Sequence, residues 1–251
     1  MPHDADDFER GDALDTEFFR RQGRHVARDL VGTLLLNESD DGTGDGTGGE
    51  TGDETDGGPV GGLVVEAEAY VNAIDPACHL SAGRTPRTEP FFRGAGTVYV
   101  FSMHGHHLLN VITAYEDHPE GVLLRALEPT HGRERMHERR GRERTTELTS
   151  GPGKLTEALG VTKEAYDGRP LAETSLSFYE TDWDPEVQVS PRIGVTGAED
   201  WPLRFTAAGS DCLSKPARTD VPLDFAAVER CYERLREDAR GGGEELPTVD
   251  R

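Results

Sequence analysis

Apolar residues fall along this chain in short runs separated by polar stretches. Between Thr16 and Leu30, Phe18, Phe19, Val26 and Leu30 recur at roughly helical spacing and predict one or two helices. VGTLLL (Val31–Leu36) and LVVEAEAYV (Leu63–Val71) read as strands. GTVYVF (Gly96–Phe101) is a third strand, followed by a short turn containing Gly105 and a strand over His107–Thr113. GVLLRAL (Gly121–Leu127) reads as a buried strand interrupted by one arginine. Thr130–Arg144 predicts a very polar helix with six arginines, and Gly153–Leu159 opens another helix after SGPG. Arg192–Val195 and Leu203–Thr206 read as short strands, and Phe225–Glu237 as an amphipathic helix. The central strands come in hairpin-like pairs, which predicts an α+β domain on an antiparallel or mixed sheet.

Residues 37–62, NESDDGTGDGTGGETGDETDGGPVGG, hold no aliphatic residue except Val60. Such a tract cannot bury enough apolar surface to order itself, so a disordered acidic loop inserted in a hairpin is expected. Closure entropy grows only with the logarithm of loop length, so the insertion costs the fold little. No apolar run approaches the ~18 residues of a membrane helix. The acidic stretch Met1–Glu17 lacks the apolar segment of a signal peptide. Cys78, Cys212 and Cys231 are too few and too scattered for a disulfide framework or a zinc site. A soluble, cytoplasmic protein with no membrane partner is expected. It should be a single domain over residues 1–251, with a core at about 17–215 and a helical extension at 216–251.

The formal charge is −21 at pH 7, from 48 acids and 27 bases, of which only Lys154, Lys163 and Lys215 are lysine. At face value this argues against nucleic acid, because DNA binders are typically basic. Its distribution changes the picture. Residues 1–17 hold seven acids against Arg10, and residues 37–58 hold eight acids and no base. Residues 76–115 hold Arg84, Arg87 and Arg93 against Glu89 alone, with four histidines. An acidic shell surrounds a non-acidic segment. Acid excess with almost no lysine also fits a halophilic habitat, since carboxylates hold water and cations while lysine stems expose apolar surface.

The candidate chemistry lies inside the strands. On a strand over Leu63–Val71, Glu66, Glu68 and Tyr70 share one face. That face is either simply solvated or a site, for a buried glutamate has a raised pKa and can act as a general base. VYVFSMHGHHLLNV (Val98–Val111) leads aromatic residues into a turn rich in histidine. It reads as a core hairpin, as a metal site from His104, His106 and His107 with His79 or Glu68, or as a hairpin tip entering a nucleic-acid groove with Tyr99 and Phe101 as stacking surfaces. Neither HExxH nor HxH with CxxC accompanies the histidines, so no metal is expected. Arg125, in the middle of a buried strand, needs a carboxylate or phosphate partner, and Glu128 is one candidate. SGPGKL (Ser150–Leu155) places small residues and Lys154 at a helix N-terminus, which suits a phosphate. The arginine-rich helix reads as a solvated face, because Glu134, Glu138 and Glu143 offset half its charge.

In chain order, EAEAY (Glu66–Tyr70), His79, RTPR (Arg84–Arg87), GTVYVF, HHLLNV (His106–Val111), VLLRALEP (Val122–Pro129), SGPGKL and PLRF (Pro202–Phe205) form a succession. It resembles the alkyladenine (3-methyladenine) DNA glycosylase family of the animal and bacterial type, from about Glu17 to Lys215. The resemblance implies that Glu68 activates the attacking water and that Tyr70 and His79 sandwich a flipped base. It implies Phe101 as a third aromatic wall, usually tyrosine in relatives, and Asn110 at the pocket floor, disfavouring guanine. Arg125 would help hold the water and an adjacent phosphate, and Arg84, Arg87 and Lys154 would contact DNA. Relatives usually carry a wedging tyrosine at the hairpin tip. Here Phe101-Ser102-Met103-His104-Gly105 is one residue shorter, and the wedge would be Met103 or His104.

The implied enzyme is a monofunctional purine glycosylase, monomeric, needing neither metal nor cofactor, whose partner is double-stranded DNA containing damaged purines. Cationic alkylated purines would gain a cation–π contribution on Tyr70 and Phe101, and Glu68 would stabilise the developing oxocarbenium charge. The expected fold is α+β: a single domain with a curved antiparallel or mixed sheet, flanking helices and a protruding β-hairpin. Two rival readings stand. One is a glycoside hydrolase using Glu66 and Glu68, about 7 Å apart on one strand. The other is a non-catalytic module that binds damaged or single-stranded DNA by stacking. Deleting Glu38–Gly58 should leave base excision intact in an abasic-site cleavage assay; loss of activity would give the tract a role beyond that of a loop.

Overall fold

The computed structural model describes residues 4, 7–38, 58–115, 118–217, 225–226, 228–230, 232–233 and 237. One strand organises the sheet. β3 (Val60–Tyr70) is buried over almost its whole length. Along one edge it pairs with β6 (His118–His131). Its other edge is divided. The first half pairs with β2 (Leu34–Asn37), Leu34 opposite Leu63. The second half pairs with β9 (Arg204–Ala207), Glu68 opposite Arg204. The sheet therefore branches within β3.

From β6 the sheet continues through β5 (His106–Tyr115) to β4 (Val98–Met103). From β2 it runs through β7 (Leu176–Thr181) to β1 (Arg10–Ala13), and from β9 to β8 (Val187–Ser190). Every described pairing is antiparallel, as the α+β reading expected.

Alternation along these strands makes two different faces. Val98, Val100, Leu109, Val111, Val122 and Leu124 enter the main core. There they meet Val26, Ala27 and Leu30 of α2 (Gly23–Leu30) and Leu155, Ala158 and Leu159 of α4 (Pro152–Leu159). The intervening Tyr99, Phe101, Leu108, Ile112 and Leu123 form a second cluster with Cys78, Leu80, Phe91 and Phe92. One face is thus sealed by helices, while the other is aromatic and covered by a loop segment.

Some elements differ from the sequence pattern. The polar helix α3 spans Arg133–Arg140, shorter than Thr130–Arg144, because Gly132 and Gly141 adopt left-handed conformations at φ 62° and 56° and end it on both sides. Arg192–Val195 is not a strand: the Ile193 N–H donates to the Glu68 carboxylate instead of to a ladder. The inserted loop is narrower than 37–62, since Asn37 pairs with Val60 and Gly61 and Gly62 pair on both edges of β3; residues 39–57 lie outside the described residues. β1, β7 and β8 had no clear signature in the apolar pattern. The described residues between 225 and 237 are helical. They dock on α2, where buried Arg24 makes two hydrogen bonds to Glu229, at 3.0 and 2.7 Å, under the ring of Tyr232. Among the described residues no helix is long and apolar enough to cross a membrane.

The register of β3 against β6 shifts between Gly61 and Gly62, which leave no room for a side chain between the strands. A Cβ on Gly62 would lie 2.0 Å from the Glu128 carbonyl oxygen, so the strands would have to separate. Gly62→Ala should destabilise the protein by about 3 kcal/mol, at the upper end for overpacking, measured by denaturant unfolding.

Candidate active site

The register draws a transverse row across the sheet. Tyr99 on β4 lies opposite Asn110 on β5, Asn110 opposite Leu123 on β6, Leu123 opposite Glu68 on β3, and Glu68 opposite Arg204 on β9. One end of the row is aromatic, the other is charged, and the charged end sits at the branch of the sheet.

At that branch Glu66 and Glu68 are both completely buried. Arg125 reaches across from β6, with Nε donating to Glu66 Oε1 at 2.8 Å and Nη1 to Glu68 Oε2 at 3.1 Å. Its partners are therefore these two carboxylates rather than Glu128. Glu66 Oε1 also accepts from Arg204 Nε at 2.8 Å and Ser214 Oγ at 2.7 Å, and its Oε2 accepts from the Ser214 N–H at 2.6 Å. Glu68 Oε2 accepts from the Tyr70 hydroxyl at 3.0 Å, and its Oε1 from the Ile193 N–H at 2.7 Å. A carboxylate offers about four lone-pair positions. Glu66 takes three donors on Oε1 and one on Oε2, and Glu68 takes two on Oε2 and one on Oε1. The two carboxylates are not equivalent, because Glu66 is tied to two arginines and Ser214, and Glu68 to one arginine and Tyr70.

Electrostatics follow the contacts. Burial alone would raise the Glu66 pKa, but Arg125 and Arg204 more than reverse this and hold it below the usual carboxylate range. Burial opposes the charge of Arg125, yet Glu68 and then Glu66 raise its pKa further. Burial and the adjacent Glu68 push the Tyr70 phenol well up, so it stays a hydrogen-bond donor.

Beside this charged end opens a cavity of about 200 Å³. Tyr70, His79, Phe101, Met103 and Asn110 line it, together with Cys78, Phe91, Tyr99, Leu123 and Gly194–Thr196. Glu68 and Arg125 do not line it; they lie one step behind Tyr70 and Leu123. His79 stands edge-on to Phe101, ring centroids 4.7 Å apart, and Asn110 Nδ2 donates to the Tyr99 carbonyl at 3.2 Å. Arg87 Nη2 donates to His79 Nε2 at 2.9 Å, which leaves Nδ1–H to donate to the Tyr99 hydroxyl at 2.8 Å. Burial, helped by Arg87, lowers the His79 pKa to about 4.

Other expected residues lie outside the cavity. Arg84 is exposed and paired with Glu89 at 2.8 Å, and the Lys154 ammonium contacts Ser150 Oγ at 3.1 Å. β4 and β5 close in a two-residue turn in which His104 and Gly105 have φ of 51° and 81°, the geometry of a type I′ hairpin. His104 is exposed at the tip, and Met103, 47% exposed, is the one large exposed hydrophobic among the described residues. With both His79 nitrogens engaged and Glu68 held by three donors, the histidine-cluster metal reading has no geometry behind it. Among the described residues no group of three His, Cys, Asp or Glu could hold a metal ion.

Several contributors escaped the sequence reading. Arg204 sits in an apolar strand just as Arg125 does, so the same signal was present in PLRF. Leu123 and Phe91 look like ordinary core, Ile193 acts through its backbone N–H, and Ser214 acts through both its N–H and its hydroxyl from a loop far away in the chain.

A ring-lined cavity thus lies beside a buried, arginine-held carboxylate. The family model described as methylpurine-DNA glycosylase matches residues 47–211. A protein of Bacillus subtilis (strain 168) named "Putative 3-methyladenine DNA glycosylase" is 41% identical over 207 residues, which is 80% of this chain and 96% of that protein. One of the same name from Rhodopseudomonas palustris is 40% identical over 207 residues, 82% of this chain and 90% of the relative. The chain belongs to the methylpurine-DNA glycosylase family.

The folded pKa of His79 lies below the unfolded value of 6.5, so its stabilising effect is complete above about pH 6.5 and is lost as the pH falls towards 4. NMR titration should find His79 neutral from pH 5 to 8, and Arg87→Ala should move its ionisation upward.

Proposed function

We propose that this protein is a monofunctional purine DNA glycosylase. It takes an alkylated or deaminated purine out of duplex DNA and hydrolyses its N-glycosidic bond, leaving an abasic site. The observation that carries the reading is the unequal hydrogen-bonding of the two buried carboxylates. Glu68 accepts from one arginine and from the hydroxyl of Tyr70, a wall of the aromatic cavity, whereas Glu66 is tied to two arginines and Ser214. A base in the cavity stacks on the faces of Tyr70 and His79 with Phe101 as a third wall, and Asn110 at the floor disfavours guanine. Met103, exposed beside the cavity, is the better wedge; His104 turns at the tip with its own backbone committed to the hairpin.

In the reaction, the oxygen of a water held by Glu68 bonds to C1′ of the sugar while the C1′–N bond breaks. The bonding pair leaves with the base. Glu68 takes the water's proton and stabilises the developing positive charge on the sugar. An alkylated purine is cationic before cleavage and leaves as a neutral molecule; hypoxanthine leaves as its anion, which takes up a proton from solvent. Arg125 keeps Glu68 in place, and its Nη2, which bonds Ser214 Oγ at 3.1 Å, is the donor it offers to a nearby phosphate. Arg84, Arg87 and Lys154 contribute phosphate attraction on the exposed side. The enzyme acts inside the cell, as a monomer, without a cofactor.

Glu68→Gln should bind hypoxanthine- or 7-methylguanine-containing duplex but release free base at least about 100-fold more slowly, the usual scale of general-base loss. Release should be assayed across a range of salt, because DNA affinity falls steeply with ionic strength. Undiminished release would remove Glu68 from the mechanism. Absence of any release by the unaltered protein at every salt concentration would leave the non-catalytic binding module as the reading.

A further inference from the structure

Behind the cavity lies an ion pair that the proposed chemistry does not use. Arg192 donates to Asp75 through both terminal nitrogens, at 2.5 and 2.8 Å, and through Nη1 to the Ala69 carbonyl at 3.0 Å. Both side chains are completely shielded. Asp75 also accepts from the Val71 and Ala77 N–H groups, each at 3.0 Å. The Arg192 guanidinium lies over the Tyr70 ring, 4.6 Å from its centroid. Its Nε is buried with no hydrogen-bond partner among the described residues. The side chain is thus placed for what its terminal nitrogens and its plane touch, at the cost of one unsatisfied donor.

The connectivity gives this pair its reach. Asp75 opens the segment that carries Ala77, Cys78 and His79 into the cavity lining. Arg192 opens the segment in which Ile193 holds Glu68 and Gly194–Thr196 line the cavity. Ala69 and Tyr70 end β3, which carries Glu68. One buried pair therefore ties together three separate stretches of chain, each supplying a wall or a donor to the site. Arg192–Val195 has no sheet ladder of its own to hold it. The ladder of β8 ends at Ser190, so Ile193 lies beyond it and next to the Arg192–Asp75 pair.

We propose that Arg192 and Asp75 are positioning residues that set the base-stacking walls and the Ile193 N–H relative to the Glu68 carboxylate. The proposal rests on the glycosylase reading. The planar fork matters here, because a point charge such as lysine cannot bond Asp75 twice and lie flat on Tyr70 at once.

The test uses the full-length protein with Arg192→Lys and Asp75→Glu, both of which keep the charge. Three quantities are measured: single-turnover release of hypoxanthine from duplex DNA, affinity for undamaged duplex, and cooperativity of thermal unfolding. Each variant that folds should bind undamaged duplex within about twofold of the unaltered protein yet release hypoxanthine about 100-fold more slowly, the usual penalty for roughly 1 Å of misplacement. Release within threefold of the unaltered protein by either variant would overturn the proposal. So would parallel loss of release, undamaged-duplex binding and cooperative unfolding in both variants, since that marks a merely structural pair. Failure of the unaltered protein to release base is a separate result; it refutes the glycosylase reading itself.

Discussion

The guanidinium of Arg125 lies between two buried carboxylates, and much of the architecture follows from keeping that charge paired. Removing one partner of a buried ion pair typically costs about 3–5 kcal/mol, because the other charge is left uncompensated. Here the pairing extends to four groups: Glu66 and Glu68 against Arg125 and Arg204. Four strands must be in register to bring them together. Glu66 and Glu68 come from β3, Arg125 from β6 and Arg204 from β9, while Ser190 on β8 meets Arg204 at 3.2 Å. The branch in the sheet is what admits β9 beside the second half of β3. Glu66 is held by two arginines and Glu68 by one, although the two are chemically identical side chains two residues apart.

Much of this could be read from the sequence, because the relevant signals are local. Period-two alternation placed Glu66, Glu68 and Tyr70 on one face, and an arginine inside GVLLRAL demanded a carboxylate or phosphate partner. The order of short motifs then pointed to the family that the comparisons bear out. What escaped was non-local or carried by the backbone. Arg192–Val195 has the composition of a strand, but its Ile193 N–H is engaged by a carboxylate about 125 positions away in the chain. Likewise Glu128 was the nearest acid to Arg125 in sequence, while the register of β3 against β6 supplied two nearer ones in space. β1, β7 and β8 are too short and too polar for their pairing to show before their neighbours are known.

The chain's acidity and its proposed substrate are reconciled by where the charge lies. The four-membered cluster is neutral in sum, and so is the Asp75–Arg192 pair. Around the cavity the charged groups are arginines, with Arg87 against His79 and Arg84 offset by Glu89. Among the described residues, a phosphate backbone approaching this side would meet those arginines. Long-range repulsion is screened within about 10 Å at 0.1 M salt and within about 3 Å at 1 M, so what remains at contact is the local pattern.

The shortness of the β4–β5 turn has a kinetic side. A two-residue connection with both residues at positive φ has almost no alternative conformations, so the height of the hairpin is fixed by strand pairing rather than by a loop. Under the function proposed above, a probe of that kind would lose little conformational freedom on meeting a duplex. Each encounter would then be judged by how readily the duplex yields at that step, and a weakened base pair would yield first. The search for damage would become a comparison of one DNA step with the next, with the protein itself as a constant.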